Sequence, residues 1–181
     1  MRKAFAIVAV MAALAGCNTT SSKGISETPA PPLEIKSAAR AVAVCARHAP
    51  DWAAAEAEFL KRGFAETRNL RLVAAGERNG SVFLQDNSSG VLVQLGSARG
   101  EGACLVGLPS LTPDQSYRLA LPWVKQYDLA TNAERGQGLS SRAVQAWGRM
   151  DSDQAIYVAA YKTWDALEAP GAAVRLLIAA R

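Results

Sequence analysis

Apolar and polar positions recur with two different periods along this chain, and the changes of period mark its elements. Over residues 35–48, Ala38, Ala41, Val42 and Cys45 fall at helical spacing and share one face. Ala49-Pro50-Asp51 interrupts that pattern. A second helix is predicted over 51–62, with Trp52, Ala55, Phe59 and Leu60 on its apolar stripe and Gly63 as its left-handed stop. Lys61 and Arg62 suit the negative end of its dipole.

The period then shortens toward two. Residues 70–73, 82–85, 91–95 and 103–108 read as four strands, separated by Asn79-Gly80, by Asn87-Ser88-Ser89-Gly90 and by a loop holding Gly100 and Gly102. Connections this short join antiparallel neighbours. Thr112-Pro113-Asp114-Gln115 has the form of a helix start, with Thr112 as cap and Gln115 where a capping box wants it. Pro122 should kink that helix or end it near Leu121. After a polar loop over 131–138, three more strands are predicted at about 143–149, 155–163 and 173–179. The order ααββββαβββ, with strands grouped and helices set apart, predicts an α+β fold with antiparallel sheet. A helix followed by a strand meander occurs twice, without residue identity between the two copies.

The start of the chain carries an address. Arg2 and Lys3 precede an apolar run over 4–13 that is too short for a stable membrane span. The run ends in Leu14-Ala15-Gly16-Cys17, which resembles the lipobox of bacterial lipoproteins at all its positions. The resemblance implies that residues 1–16 are a signal peptide removed by signal peptidase II. It also implies a diacylglycerol thioether on the Cys17 thiol, usually with acylation of the new amine. Two or three acyl chains hold a protein stably on a membrane where one does not. In enteric lipoproteins an aspartate after the cysteine favours inner-membrane retention, so Asn18 favours the outer membrane. Residues 17–32 have few large apolar side chains and end in Pro29, Pro31 and Pro32. They should form a tether reaching on the order of 20–45 Å, stiffened at its far end. Residues 33–181 then form one globular domain on the periplasmic side.

Composition agrees with that division. The chain is 50% hydrophobic and 20% charged, which is globular. Its formal charge is +4, and loss of Arg2 and Lys3 with the signal peptide leaves only a small surplus. Nucleic-acid binding, which needs clustered excess charge, is excluded as a reading.

With Cys17 on lipid, Cys45 and Cys104 remain in an oxidising compartment. Cys45 lies on the apolar face of the first helix, and Cys104 alternates with Val106 and Leu108 on its strand. Both therefore point inward, and a disulfide between them is expected. A zinc site of Cys45, His48 and Cys104, or a Cys45–His48 nucleophile pair, lacks a supporting motif. His48 is the only histidine, so any histidine-dependent enzyme must use it. A surface or capping role near a helix C-terminus is the simpler reading. The sequence contains no nucleophile elbow, H-E-x-x-H, P-loop or dinucleotide fingerprint. Asp151 and Asp153 read as a solvated turn, and no metal or cofactor is expected.

All the tryptophans and tyrosines except Trp52 lie between Tyr117 and Trp164. On the first late strand, Trp147 shares a face with Gln145 and Arg149. An exposed Trp147 there would stack on a sugar ring or anchor a protein. On the next strand, Tyr157 and Tyr161 flank Ala159 and leave a shallow gap. The competing reading makes these aromatics a second small core under the kinked helix. Together these features point to a non-catalytic envelope lipoprotein that binds a protein or glycan. The alternatives are a structural subunit of an envelope complex and an envelope-polymer hydrolase using His48.

Overall fold

The computed structural model describes residues 32–96, 101–131, 142–167 and 170–180. The lipobox, Cys17 and the body of the tether lie outside the described residues. The elements run α1 (Pro32–His48), α2 (Trp52–Lys61), β1 (Ala65–Glu66), α3 (Leu70–Asn79), β2 (Val82–Gln85), β3 (Leu92–Leu95), β4 (Glu101–Leu108), α4 (Pro113–Gln126), β5 (Ala130–Thr131), β6 (Ala143–Met150), β7 (Gln154–Tyr161) and β8 (Ala172–Ala180). The fold is α+β, with four helices and eight antiparallel strands in one sheet among the described residues.

The strand order is β1-β2-β3-β4-β8-β7-β6-β5. Two four-strand meanders therefore meet at a single seam between β4 and β8. α2 packs on β3 and β4, α4 packs on β6, β7 and β8, and α1 lies against β4 between them. These three helices cover one face of the sheet. The core between them holds Cys45 and Phe59, Cys104 and Leu176, and Trp123 from α4, all fully buried or nearly so.

Local chemistry sets the helix ends. Asp51 caps α2 by accepting from Ala54 N at 3.0 Å. In α4, Thr112 Oγ1 accepts from Gln115 N at 3.3 Å, and Gln115 Oε1 accepts from Thr112 N at 2.9 Å, completing the capping box. Pro32 opens α1 rather than closing the tether, because a proline at the first helical position gives up an N–H that has no helical partner anyway.

Two expectations are corrected. Residues 70–73 are not a strand but the first turn of α3. Asn69 Oδ1 accepts from Arg71 N at 3.1 Å and Leu72 N at 3.4 Å, and Gly80 ends the helix at φ 62°. Only Leu72 of that stretch is buried, whereas Leu70 is 83% exposed, so the alternation of apolar residues there does not follow burial. Pro122 does not end α4 near Leu121; the helix continues to Gln126. The carbonyl deprived of its partner belongs to Arg118, whose side chain is exposed. The next residue, Trp123, holds the following turn in place by donating from Nε1 to Val42 O of α1 at 2.9 Å.

α1 is fastened at three levels. Ser110 Oγ donates to Glu34 Oε2 at 3.1 Å, and Ser37 Oγ donates to Asp86 Oδ2 at 2.8 Å. The third is the Cys45–Cys104 disulfide, with Cα atoms 6.2 Å apart and a sequence separation of 59. A loop of that length gives about 4 kcal/mol in the chain-entropy view. Cys45→Ala and Cys104→Ala should each lower the unfolding free energy by about 2–4 kcal/mol, and the double variant should be little worse than either. Urea unfolding of the three variants measures this; additive losses would contradict it.

Asp86 sits in the β2–β3 turn. Partial burial alone would raise its carboxyl, but hydrogen bonds from Ser89, Ser88 and Ser37 outweigh burial and hold it at about 2. A carboxyl lowered on folding contributes stability above its unfolded value of 3.8, and that contribution is lost as pH falls through about 2. The stability gap between the native chain and Asp86→Asn should therefore close between about pH 5 and pH 2. Thermal midpoints across that range test it, and a constant gap would contradict it.

Candidate binding site on the open sheet face

Side chains alternate across a sheet, so each residue that joins the helix-covered core has neighbours facing away. The face away from α1, α2 and α4 is built from the intervening positions. At one end it is covered: Leu72 of α3 packs with Phe83, Leu92 and Leu167, and Trp164 joins them. Trp164 lies so close over Gly107 that a Cβ there would collide with its ring.

Beyond Trp164 the register lays out the rest of this face. Arg175 of β8 lies between Leu105 of β4 and Ala159 of β7. Leu105 in turn pairs with Gln94, and Ala159 with Ala146. Tyr157 pairs with Leu177 and Tyr161 with Ala173. Both tyrosines are therefore diagonal neighbours of Arg175, at about 7–8 Å in such a ladder. The gap over Ala159 read in the sequence is not open, since Ala159 is buried, but the position is bordered by a cation from the adjoining strand.

Arg175 is half-buried. Its Nε is sealed from solvent, and among the described residues it has no hydrogen-bond partner. No ion pair joins it to an acid there either. A guanidinium is a fork of five donors and takes carboxylates and phosphates in bidentate fashion. Leaving a buried donor unmet costs about 1–3 kcal/mol, so a cation kept in this position is a donor whose acceptor is not found among the described residues. The small residues Ala159, Ala146 and Ala173 are themselves buried, and half-buried Tyr161 and buried Tyr157 flank them.

The other expected site residues are placed differently. Trp147 is not exposed: it is 6% accessible and lies beneath α4, its ring centroid 5.4 Å from that of Tyr117. Its polar neighbours misled, because they serve the rim of the helix layer. Arg149 Nη1 donates to Tyr127 O at 2.8 Å, and its Nε pairs with Asp151 at 3.1 Å. Gln145 Nε2 donates to Ala146 O at 3.2 Å. Trp147, Gln145 and Arg149 thus belong to the helix-covered side, and Tyr157 and Tyr161 to the other. The sheet separates the two halves of the expected aromatic surface. The signal for Arg175 was its charge alone in the apolar run 172–179, a pattern that marks a strand buried on both faces.

The Cys45 and Cys104 thiols are joined to each other, which removes them as metal ligands or nucleophiles. His48 is half-buried at the end of α1, and its Nε2 has no hydrogen-bond partner among the described residues. The carboxyl of Glu58 is lowered chiefly by its hydrogen bond to Arg62, with His48 only a distant contributor. Among the described residues no group of three His, Cys, Asp or Glu side chains is placed to hold a metal ion. No helix among them is long and apolar enough to cross a membrane.

Replacing Arg175 by leucine should remove an unmet donor and raise the thermal midpoint. One such donor, at about 1 kcal/mol, corresponds to about 2–4 °C for a domain of this size. Calorimetry of Arg175→Leu tests this; a fall in the midpoint would mean that the guanidinium holds the fold together. No known protein family, curated protein or solved structure matches the chain.

Proposed function

We propose that this chain is a non-catalytic lipoprotein, anchored through Cys17 to the periplasmic side of a bacterial membrane, with the outer membrane favoured. Its sheet face around Arg175 binds an envelope partner that carries a carboxylate or phosphate. The observation that carries this reading is Arg175 Nε, sealed from solvent and without a hydrogen-bond partner among the described residues, on the sheet face away from α1, α2 and α4 and between two tyrosines. An acidic glycan fits best. A tyrosine ring offers an apolar surface for a sugar, and the guanidinium takes the acid. The lipobox supports the anchor, and Asn18 the choice of membrane.

A structural subunit would bind through the same face and differ only in the permanence of its partner. A hydrolase using His48 has less support, because no carboxylate is hydrogen-bonded to that histidine among the described residues.

A photo-crosslinking residue in place of Leu177, which adjoins Tyr157 on this face, tests the binding in intact cells. The full chain should yield a discrete adduct, and Arg175→Glu should reduce its yield at least about tenfold while leaving the fold intact. Cys17→Ala should leave the precursor unprocessed and free of acyl label. A mature N-terminus other than Cys17 would overturn the anchor, and an adduct indifferent to Arg175→Glu would overturn the site.

A further inference from the structure

On the other side of the sheet, α1 and α4 run side by side, and their contacts advance together. Trp123 donates to Val42 O, and one turn further on Gln126 Nε2 donates to Ala46 O at 3.1 Å. Between the two helices an open groove of about 680 Å³ runs from Ile35 to Arg47. Its floor rests on Val42, Leu119 and Trp123, which are buried beneath it, and the reachable apolar lining is Ile35, Ala39, Ala43, Ala46 and Pro122. On the α1 side its wall is low, because Ala39 and Ala43 are small and exposed.

Among the described residues two cations line the groove, Arg118 and Arg47, and no acid does. Arg118 is already paired with Asp114 at 3.0 Å. Arg47 makes no ion pair or hydrogen bond among the described residues. Among the described residues the groove therefore presents one free positive charge, at one end. The negative end of α1 is blunted there, because Gln126 occupies the Ala46 carbonyl.

We infer that this groove holds a single long-chain fatty acid, its tail along Ala39, Ala43 and Pro122, above the buried Val42, Leu119 and Trp123, and its carboxylate on Arg47. Three features select that occupant. From Ile35 to Arg47 the helix rises about 18 Å, close to half of a bilayer's ~30 Å hydrocarbon core and so to one acyl chain. The floor donors and acceptors already bond each other, so an extended peptide finds no backbone partner, whereas an alkyl tail needs none. One free cation matches one carboxylate. The groove lies on the opposite face from Arg175 and does not rest on the reading given for that face.

The test uses the full chain in its own membranes, exposed to palmitic acid carrying a diazirine on its tail, irradiated, digested and mapped. Adducts should concentrate on the α1 and α4 peptides that line the groove. Ala43→Phe fills the trough from an exposed position without disturbing the core, and should cut adduct yield at least about tenfold. Arg47→Gln should cut it several-fold, while Leu70→Ala, on a distant exposed apolar residue, should leave it unchanged. Near-ultraviolet dichroism matching the native chain confirms that each variant is folded. Equal labelling around Leu70 or Met150 would overturn the inference, as would adducts that survive Ala43→Phe. So would equal labelling by the same tail presented as a phosphatidylglycerol ester, which would make the occupant a membrane phospholipid.

Discussion

Everything in this molecule hangs on the pairing of β4 with β8. Eight residue pairs, from Glu101 with Ala179 to Leu108 with Ala172, join strands far apart in the chain. Each meander on either side pairs strands that follow one another in the chain. Neither could bury both faces alone. The seam supplies the central strands, and with them the floor on which α1, α2 and α4 lie. Its register also decides which side each side chain takes. Cys104 stands opposite Leu176 on the helix side, and Leu105 stands opposite Arg175 on the other. A slip of one residue in β8 would drive a guanidinium into the helix-side core and turn Leu176 outward. The disulfide and the open-face cation are thus fixed by one alignment.

Local periodicity made much of this fold legible. α1, α2 and α4 followed from helical spacing and caps, and β2, β3, β4, β6, β7 and β8 from alternation and turn residues. The Cys45–Cys104 bridge followed from two separate periods, each placing a thiol inward. What failed was of two kinds. Short elements gave too little period: Leu70-Arg71-Leu72-Val73 mimics a strand, and only its Asn69 cap and Gly80 stop betray the helix. β1 and β5, two residues each, have no period at all. The second kind was non-local. Nothing in β4 names β8 as its neighbour, so the meeting of Arg175 with Tyr157 and Tyr161 could not be read from either strand.

The aromatic residues show the same limit from another side. Alternation correctly grouped Trp147 with Gln145 and Arg149, and Tyr157 with Tyr161. It could not say which group faced the helices. Polar neighbours suggested exposure for Trp147, but Arg149 is polar because it reaches the end of α4 and holds Tyr127 O. A charged residue at the margin of a helix layer is compatible with a buried tryptophan two positions away. Burial was decided by α4 above the strand, which lies some twenty residues earlier in sequence.

The position of the disulfide has a mechanical consequence. α1 is the first element among the described residues, and in a chain anchored as proposed any pull between membrane and bound partner would enter the domain there. A terminal helix held only by packing would peel away one turn at a time under such a load. Here the pull can loosen at most the turns ahead of Cys45 before it meets a covalent bond to Cys104. From that point force passes into β4, the strand with full-length neighbours on the β8 side and a shorter one in β3. Those hydrogen bonds can bear it together, so a domain anchored as proposed would stay folded under such a load.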